Sequence, residues 1–134
     1  MIDVEAEVYS PIAKALRTAY PGIYVTSEAD ERIPAKLPCV QIVETDNYQP
    51  PARLDSGPER FAEITYTVTV WTNSVAGKKA LNREILGFVD AMLFEKDFVR
   101  ESITPQTTIG NGSIYWMAAR YLAAVDGEHF YRRQ

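Results

Sequence analysis

The stretch Ala62-Glu63-Ile64-Thr65-Tyr66-Thr67-Val68-Thr69-Val70-Trp71-Thr72 alternates with a period of two. Ala62, Ile64, Tyr66, Val68 and Val70 share one face; Glu63, Thr65, Thr67 and Thr69 share the other. Such alternation predicts a long strand with one covered face and one wetter face. The wetter face is rich in threonine, which suits a pleated surface that is half exposed or meets another protein. Asn73-Ser74 then supplies a turn and an N-cap signal. The helix that follows carries Leu81, Ile85, Phe88, Val89, Met92 and Leu93 on one face. Lys78, Lys79, Asn82, Arg83, Glu84 and Asp90 are assigned to the other. Strand and helix together read as a helix packed on a sheet.

Working outward, residues 3 to 19 place Val4, Val8, Ile12, Ala15, Leu16 and Ala19 at steps of three or four, an apolar helical stripe. Ser10-Pro11 leaves two readings: a helix capped at Ser10, or a longer helix kinked at Pro11. Pro21-Gly22 stops it. Ile23 to Thr26 is a short strand, and Ser27 to Leu37 a polar loop. Cys39 to Thr45 is a second strand, with Val40 and Ile42 opposite Gln41 and Val43. Asp46 to Glu59 is the least regular stretch, with Pro50, Pro51, Gly57 and Pro58; a connection this long is often functional.

Phe98 to Thr108 reads as a strand with Pro105 at an edge or bulge. Ser113 to Val125 fits both a strand and a helical stripe; the Asn111-Gly112 turn signal before it selects the strand, and hence a hairpin. The expected order is α-β-β-β-α-β-β. It forms one domain over residues 1–134, an α+β fold whose mostly antiparallel sheet of four to five strands carries two main helices on one side.

Composition narrows the function. The chain has 134 residues, 46% hydrophobic and 24% charged, which suffices for a single core. The formal net charge of −4 disfavours duplex nucleic acid as a specific partner. Its basic pairs, Lys78-Lys79 and Arg132-Arg133, are ordinary features of a solvated surface. Cys39 is the single cysteine. It therefore forms no intrachain disulfide and no thiolate metal cluster, and its apolar run predicts a buried, inert thiol. Met1 to Glu5 is acidic and lacks a signal peptide's basic start, and no segment approaches the roughly 18 apolar residues of a membrane span. The expected place of synthesis is a cytoplasm.

The sequence offers no catalytic set, no metal site and no cofactor site. Gly77-Lys78-Lys79 lacks the first glycine of a phosphate loop, where Thr72 stands, and the serine or threonine after the lysine. His129, the single histidine, lies in a polar tail beyond the last core segment. Glu28, Asp30 and Glu31 cluster on a polar loop without the apolar surroundings that raise a pKa. Glu44 and Asp46 are spaced to share a face at a strand end. The chain therefore reads as a non-enzyme.

The aromatics point elsewhere. Tyr48 and Arg53 belong to the long proline-rich loop; Phe130, Tyr131, Arg132 and Arg133 crowd the tail. Aromatics and arginine are enriched at protein–protein contacts, and these six are the candidate partner-binding residues. The competing reading folds the aromatics back onto the domain.

Taken over its length, the chain resembles the tail-terminator, or tail-completion, proteins of long-tailed phages and prophages. The residues that carry this are Val8-Tyr9-Ser10-Pro11-Ile12-Ala13, Tyr20-Pro21-Gly22, Pro38-Cys39-Val40 with Ile42-Val43-Glu44, and Asp46-Asn47. The strand–helix junction Tyr66-Thr67-Val68-Thr69-Val70-Trp71-Thr72-Asn73 with Gly77-Lys78-Lys79 fits the family's pattern. So do Ile114-Tyr115, Met117-Ala118-Ala119-Arg120-Tyr121 and Tyr131-Arg132-Arg133. Trp116 and Leu122 depart from it, standing where polar residues are more usual.

The resemblance implies an α+β protein of the virion, at the junction of tail and head. It would cap the tail tube as a hexameric ring, end tube polymerisation, and join the head connector. Its partners would be its own copies, the major tail tube protein and the head–tail connector protein, with DNA passing through an acidic ring. A sheet edge and the Asp46–Glu59 loop are the expected self-contacts. A head-completion or neck adaptor protein is the alternative; a small cellular ligand-binding domain, with a pocket from Tyr66, Glu44 and Arg120, is the third reading.

Overall fold

The computed structural model describes residues 2–28, 34, 36–48, 62–73, 77–105, 114–126 and 129–131. Helix α1 spans Glu5–Ala19, followed by strands β1 (Tyr24–Thr26), β2 (Cys39–Tyr48) and β3 (Ala62–Thr72). Helix α2 spans Lys78–Glu95, followed by β4 (Val99–Pro105), β5 (Tyr115–Asp126) and β6 (His129–Tyr131). The α+β class and the order α-β-β-β-α-β-β are as expected, and β6 adds a short last strand. The segment expected as a strand over Ser113–Val125 is strand over Tyr115–Asp126, and Ser113 lies outside the described residues. The Asn111-Gly112 turn lies outside the described residues.

The strands form one sheet in the order β1-β2-β3-β5-β4, with β6 also pairing β5. Among the described strands, β1 and β2 run parallel and the other neighbours antiparallel. The centre of the sheet is the β3–β5 ladder, which runs unbroken from Ala62↔Val125 to Thr72↔Tyr115.

The two faces differ sharply. Val40, Ile42, Ile64, Tyr66, Val68, Val70, Met117, Ala119 and Tyr121 join α1 and α2 in one core. Tyr66 and Tyr121, the largest side chains buried there, are each 1% exposed. Helix α1 inserts Val8, Ile12, Ala13 and Leu16, and α2 inserts Ile85, Leu86, Val89 and Leu93. Each fully buried aliphatic side chain contributes about 1.5–3 kcal/mol, so this stripe docks both helices on the same side.

Helix α1 is one continuous helix through Pro11, which is exposed. The reading with a start at Ser10 is thereby excluded. Asp3 accepts the Glu5 amide at 3.1 Å, and Glu5 and Glu7 complement the positive end of the helix. Helix α2 starts later than its sequence signal. Gly77, at φ 79°, directly precedes Lys78, and no side chain caps the helix; Asn73 does not cap it, and Ser74 lies outside the described residues. At the other end Asp97, at φ 68°, takes the left-handed position. Phe98 N–H bonds to Leu93 C=O and Asp97 N–H to Phe94 C=O, each at 3.0 Å, which is a Schellman closure.

Candidate interaction surface

Among the described residues, no helix lies on the second face of the sheet. Register places its residues in cross-strand rows. At one end Tyr24, Cys39, Trp71 and Trp116 pair in sequence across β1, β2, β3 and β5. The Trp71 and Trp116 rings stack with centroids 5.4 Å apart and planes at 20°. Tyr24 is 45% exposed, whereas Cys39 is wholly buried beneath the row. Burial pushes the Cys39 thiol up to about 11, so it is protonated and inert at neutral pH, as its apolar run suggests.

The middle rows are small: Gln41, Thr69, Ala118 and Thr104, then Val43, Thr67, Arg120 and Ser102. Thr67 and Thr69 are half-buried, Thr65 is buried and Arg120 is exposed. The threonine-rich face of the long strand is thus a half-covered floor. Thr45 and Thr67 share a hydroxyl–hydroxyl hydrogen bond of 3.1 Å that ties β2 to β3 across it.

The other end is charged and aromatic. Asp46, Tyr48, Glu63, Thr65, Val99, Glu101, Arg120 and Leu122 line an open groove of about 500 Å³. Tyr48, 46% exposed, donates its hydroxyl to the Glu63 carboxylate. Tyr48 belongs to β2 rather than to the loop. Register puts positions 48, 63, 124 and 131 in one row.

Phe130 turns to the helix-covered face opposite Val125, and its ring lies 5.7 Å from that of Phe98. The tail is therefore no free extension as far as Tyr131: it pairs with β5, and Phe130 packs on the core. Arg53, Arg132 and Arg133 lie outside the described residues, as do Asp30 and Glu31 of the acidic loop.

Two sequence assignments are corrected. Glu44 and Asp46 do not share a face. A bulge at Thr45 places Glu44 opposite Tyr66, on the helix side, and Asp46 opposite Thr65. Since Arg120 pairs with Thr67, it lies across the sheet from Tyr66 and Glu44, and no pocket unites those three. Desolvation raises the Glu44 carboxyl, opposed by its hydrogen bond from Asn47.

Asn82, assigned to the polar face of α2, is instead fully buried. Its Nδ2 donates to Val70 C=O at 2.8 Å, Tyr115 C=O at 3.2 Å and Thr72 Oγ1 at 3.3 Å. It binds the start of α2 to the ends of β3 and β5, below the Trp71–Trp116 stack. Thr72 adds a bond to Lys78 C=O at 2.7 Å.

Sequence reading also missed the stack itself. Both tryptophans were visible, but only the β3–β5 register joins them. Among the described residues, no group of three or more His, Cys, Asp or Glu is placed to hold a metal ion. No described helix is long and apolar enough to cross a membrane. Compared with known proteins, the chain matches no family model and no curated protein.

Proposed function

We propose that this chain is a structural part of a phage or prophage tail that caps the tail tube as a ring, ends its polymerisation and forms the joint to the head connector. The observation that carries this reading is the helix-free sheet face, floored with threonine and alanine and rimmed by aromatic and charged rows. Among the described residues this face is built from strand side chains alone, and a broad sheet surface with an open groove at one end suits contact with other proteins. The resemblance over the length of the chain supports it, and the net charge of −4 per chain suits a ring through which DNA slides without adhering.

The test is electron microscopy of the purified chain mixed with a tail tube protein from the same source genome. Tubes are expected to stop at defined ends bearing a ring. Tubes that keep lengthening at saturating amounts of the chain remove the reading. Binding to the portal-side ring but not to the tube transfers the chain to the neck of the particle.

A further inference from the structure

We propose that the groove between α2 and β4 holds an extended segment of a partner protein in which apolar and acidic side chains alternate. This contact goes beyond the tail reading and uses residues other than those of the helix-free face. The groove has two lobes on the helix-covered side of the sheet. Leu86, Gly87, Ile103 and Met117 line the first, of about 190 Å³. Phe94, Phe98, Val99 and Tyr121 line the second, of about 180 Å³. Asp90 and Arg100 border both, and their ion pair of 3.1 Å forms a bar between them.

The spacing of α2 builds one wall. Arg83, Gly87, Asp90 and Phe94 follow at steps of four, three and four, so they form one line along the helix. Gly87 is the gap in that line. A Cβ there would meet nothing within 4 Å, and the missing side chain opens the first lobe. Ile103, 40% exposed, stands on the opposite wall. Strand β4 ends the sheet, and no described strand pairs with its outer edge.

Charge selects the occupant. Tyr121 donates to Asp90 Oδ1 at 2.8 Å and Arg100 donates to the same oxygen at 3.1 Å, so this anion is already matched. Arg83 borders the first lobe, is exposed, and has no ion pair among the described residues. Lys79, also exposed, lies one turn before it. The other carboxylates nearby are directed elsewhere. Glu84 accepts the Tyr20 hydroxyl on the flank towards α1, and Glu95 follows it by three turns on that flank. Glu101 lines the groove on the opposite side of the sheet, and Asp97 lines neither lobe. Two cations and one anion thus border the groove, and the complementary ligand charge is negative.

Size separates a chain from a small molecule. Small-molecule pockets enclose roughly 300–1,000 Å³. Each lobe is smaller, and the Asp90–Arg100 bar divides them. Two apolar side chains of one partner segment fill both. The line from Arg83 to Phe94 rises about 16 Å, room for about five residues of extended chain. Alternation then puts apolar side chains in the lobes and carboxylates at the rim, against Arg83 and Lys79.

The test is titration of the isotope-labelled chain with the peptide acetyl-Leu-Glu-Leu-Glu-Leu-amide, read from amide shifts by NMR. Shifts are expected to concentrate in residues 83–94 and 99–103 and to saturate at millimolar peptide. The same peptide with lysine in place of glutamate should bind about tenfold more weakly. Arg83→Glu should weaken the acidic peptide several-fold. Gly87→Leu, whose side chain fills the first lobe, should abolish its binding. Both positions are exposed and leucine is the better helix former, so a Tm no lower than the parent's shows that the Gly87→Leu loss is not unfolding.

An acidic peptide that gives no shifts at millimolar concentration, or shifts spread over the helix-free face, overturns the proposal. A lysine peptide that binds equally well does the same, as does a folded Gly87→Leu chain that binds like the parent. Octanoate is the last arm. Weaker binding than the peptide supports the partner segment; equal binding with the same shifts makes the occupant a small apolar acid and overturns it.

Discussion

Asn82 shows how one amide holds two layers together. Its three donated contacts end on groups of β3 and β5 that have lost access to water. Leaving such carbonyls without a donor costs about 1–3 kcal/mol. Asn82→Ala is therefore expected to lower unfolding free energy by about 2–4 kcal/mol, read from the urea midpoint at unchanged slope. Asn82→Asp should cost more, because a carboxylate offers the same carbonyls no donor and carries a buried charge. An Asp variant as stable as the parent would refute this role. Sequence chemistry sent Asn82 to the solvent face because it is polar, although its angular position falls on the buried stripe with Ile85, Leu86, Val89 and Leu93. Periodicity was the better guide than side-chain type, and it would also have recovered Leu86.

Among the elements, α1 and β2 each contain one local exception. Pro11 lies inside α1, where it offers no N–H to Glu7 C=O and crowds that carbonyl. The helix continues because Val8, Ile12 and Leu16 are anchored in the core on either side of it. Since Pro11 is exposed, Pro11→Ala should restore the missing bond without removing packing. We expect stabilisation of about 1–3 kcal/mol, seen as a rise in Tm of several degrees. A fall in Tm would mean that the proline is needed where it stands. In β2 the bulge at Thr45 moves Asp46 and Tyr48 onto the helix-free face, and no feature of the sequence announces it. The late start of α2 has a similar origin, since Gly77 rather than Asn73 or Ser74 adjoins its first turn.

At the scale of the molecule, three tyrosines bind the helix layer and the sheet to a common pH dependence. Burial, helped by the hydrogen bond to Asp90, holds the Tyr121 phenol well above its ordinary value. Burial and the nearby Glu44 carboxylate do the same for Tyr66. Tyr20 is raised to about 12 by burial and by its 2.8 Å bond to Glu84, which links α1 to α2. Unfolded phenols ionise near pH 10, whereas these hold their protons higher, so the unfolded state releases protons first as pH rises. Their stabilisation is complete below pH 10 and is lost as pH climbs through the folded values, that of Tyr20 being about 12. Unfolding free energy should begin to fall at about pH 8.5, where the unfolded Cys39 thiol ionises while the folded one keeps its proton, and fall more steeply above 10 as the unfolded phenols follow. Phenolate absorbance should lag the titration of free tyrosine until the native circular dichroism collapses. Full phenolate absorbance near pH 10 in a chain that is still folded would contradict this.

Periodicity in the chain was enough for the class, the order of elements and the covered face of β3, because burial imposes a repeat that side chains record directly. The long alternation from Ala62 and the stripe from Leu81 are local patterns, legible without knowing what they touch. The identity of the helix-free surface was not local. Trp71 and Trp116 are far apart in the chain, Tyr48 and Arg120 farther still, and only strand register and the bulge at Thr45 bring them onto one face. Register is a property of pairs of strands, so a single residue slip would have sent each of these side chains to the opposite face. For the same reason the tail, whose aromatics read either as a partner contact or as folding back onto the domain, became β6 once β5 offered it an edge and Phe98 offered Phe130 a ring to pack on.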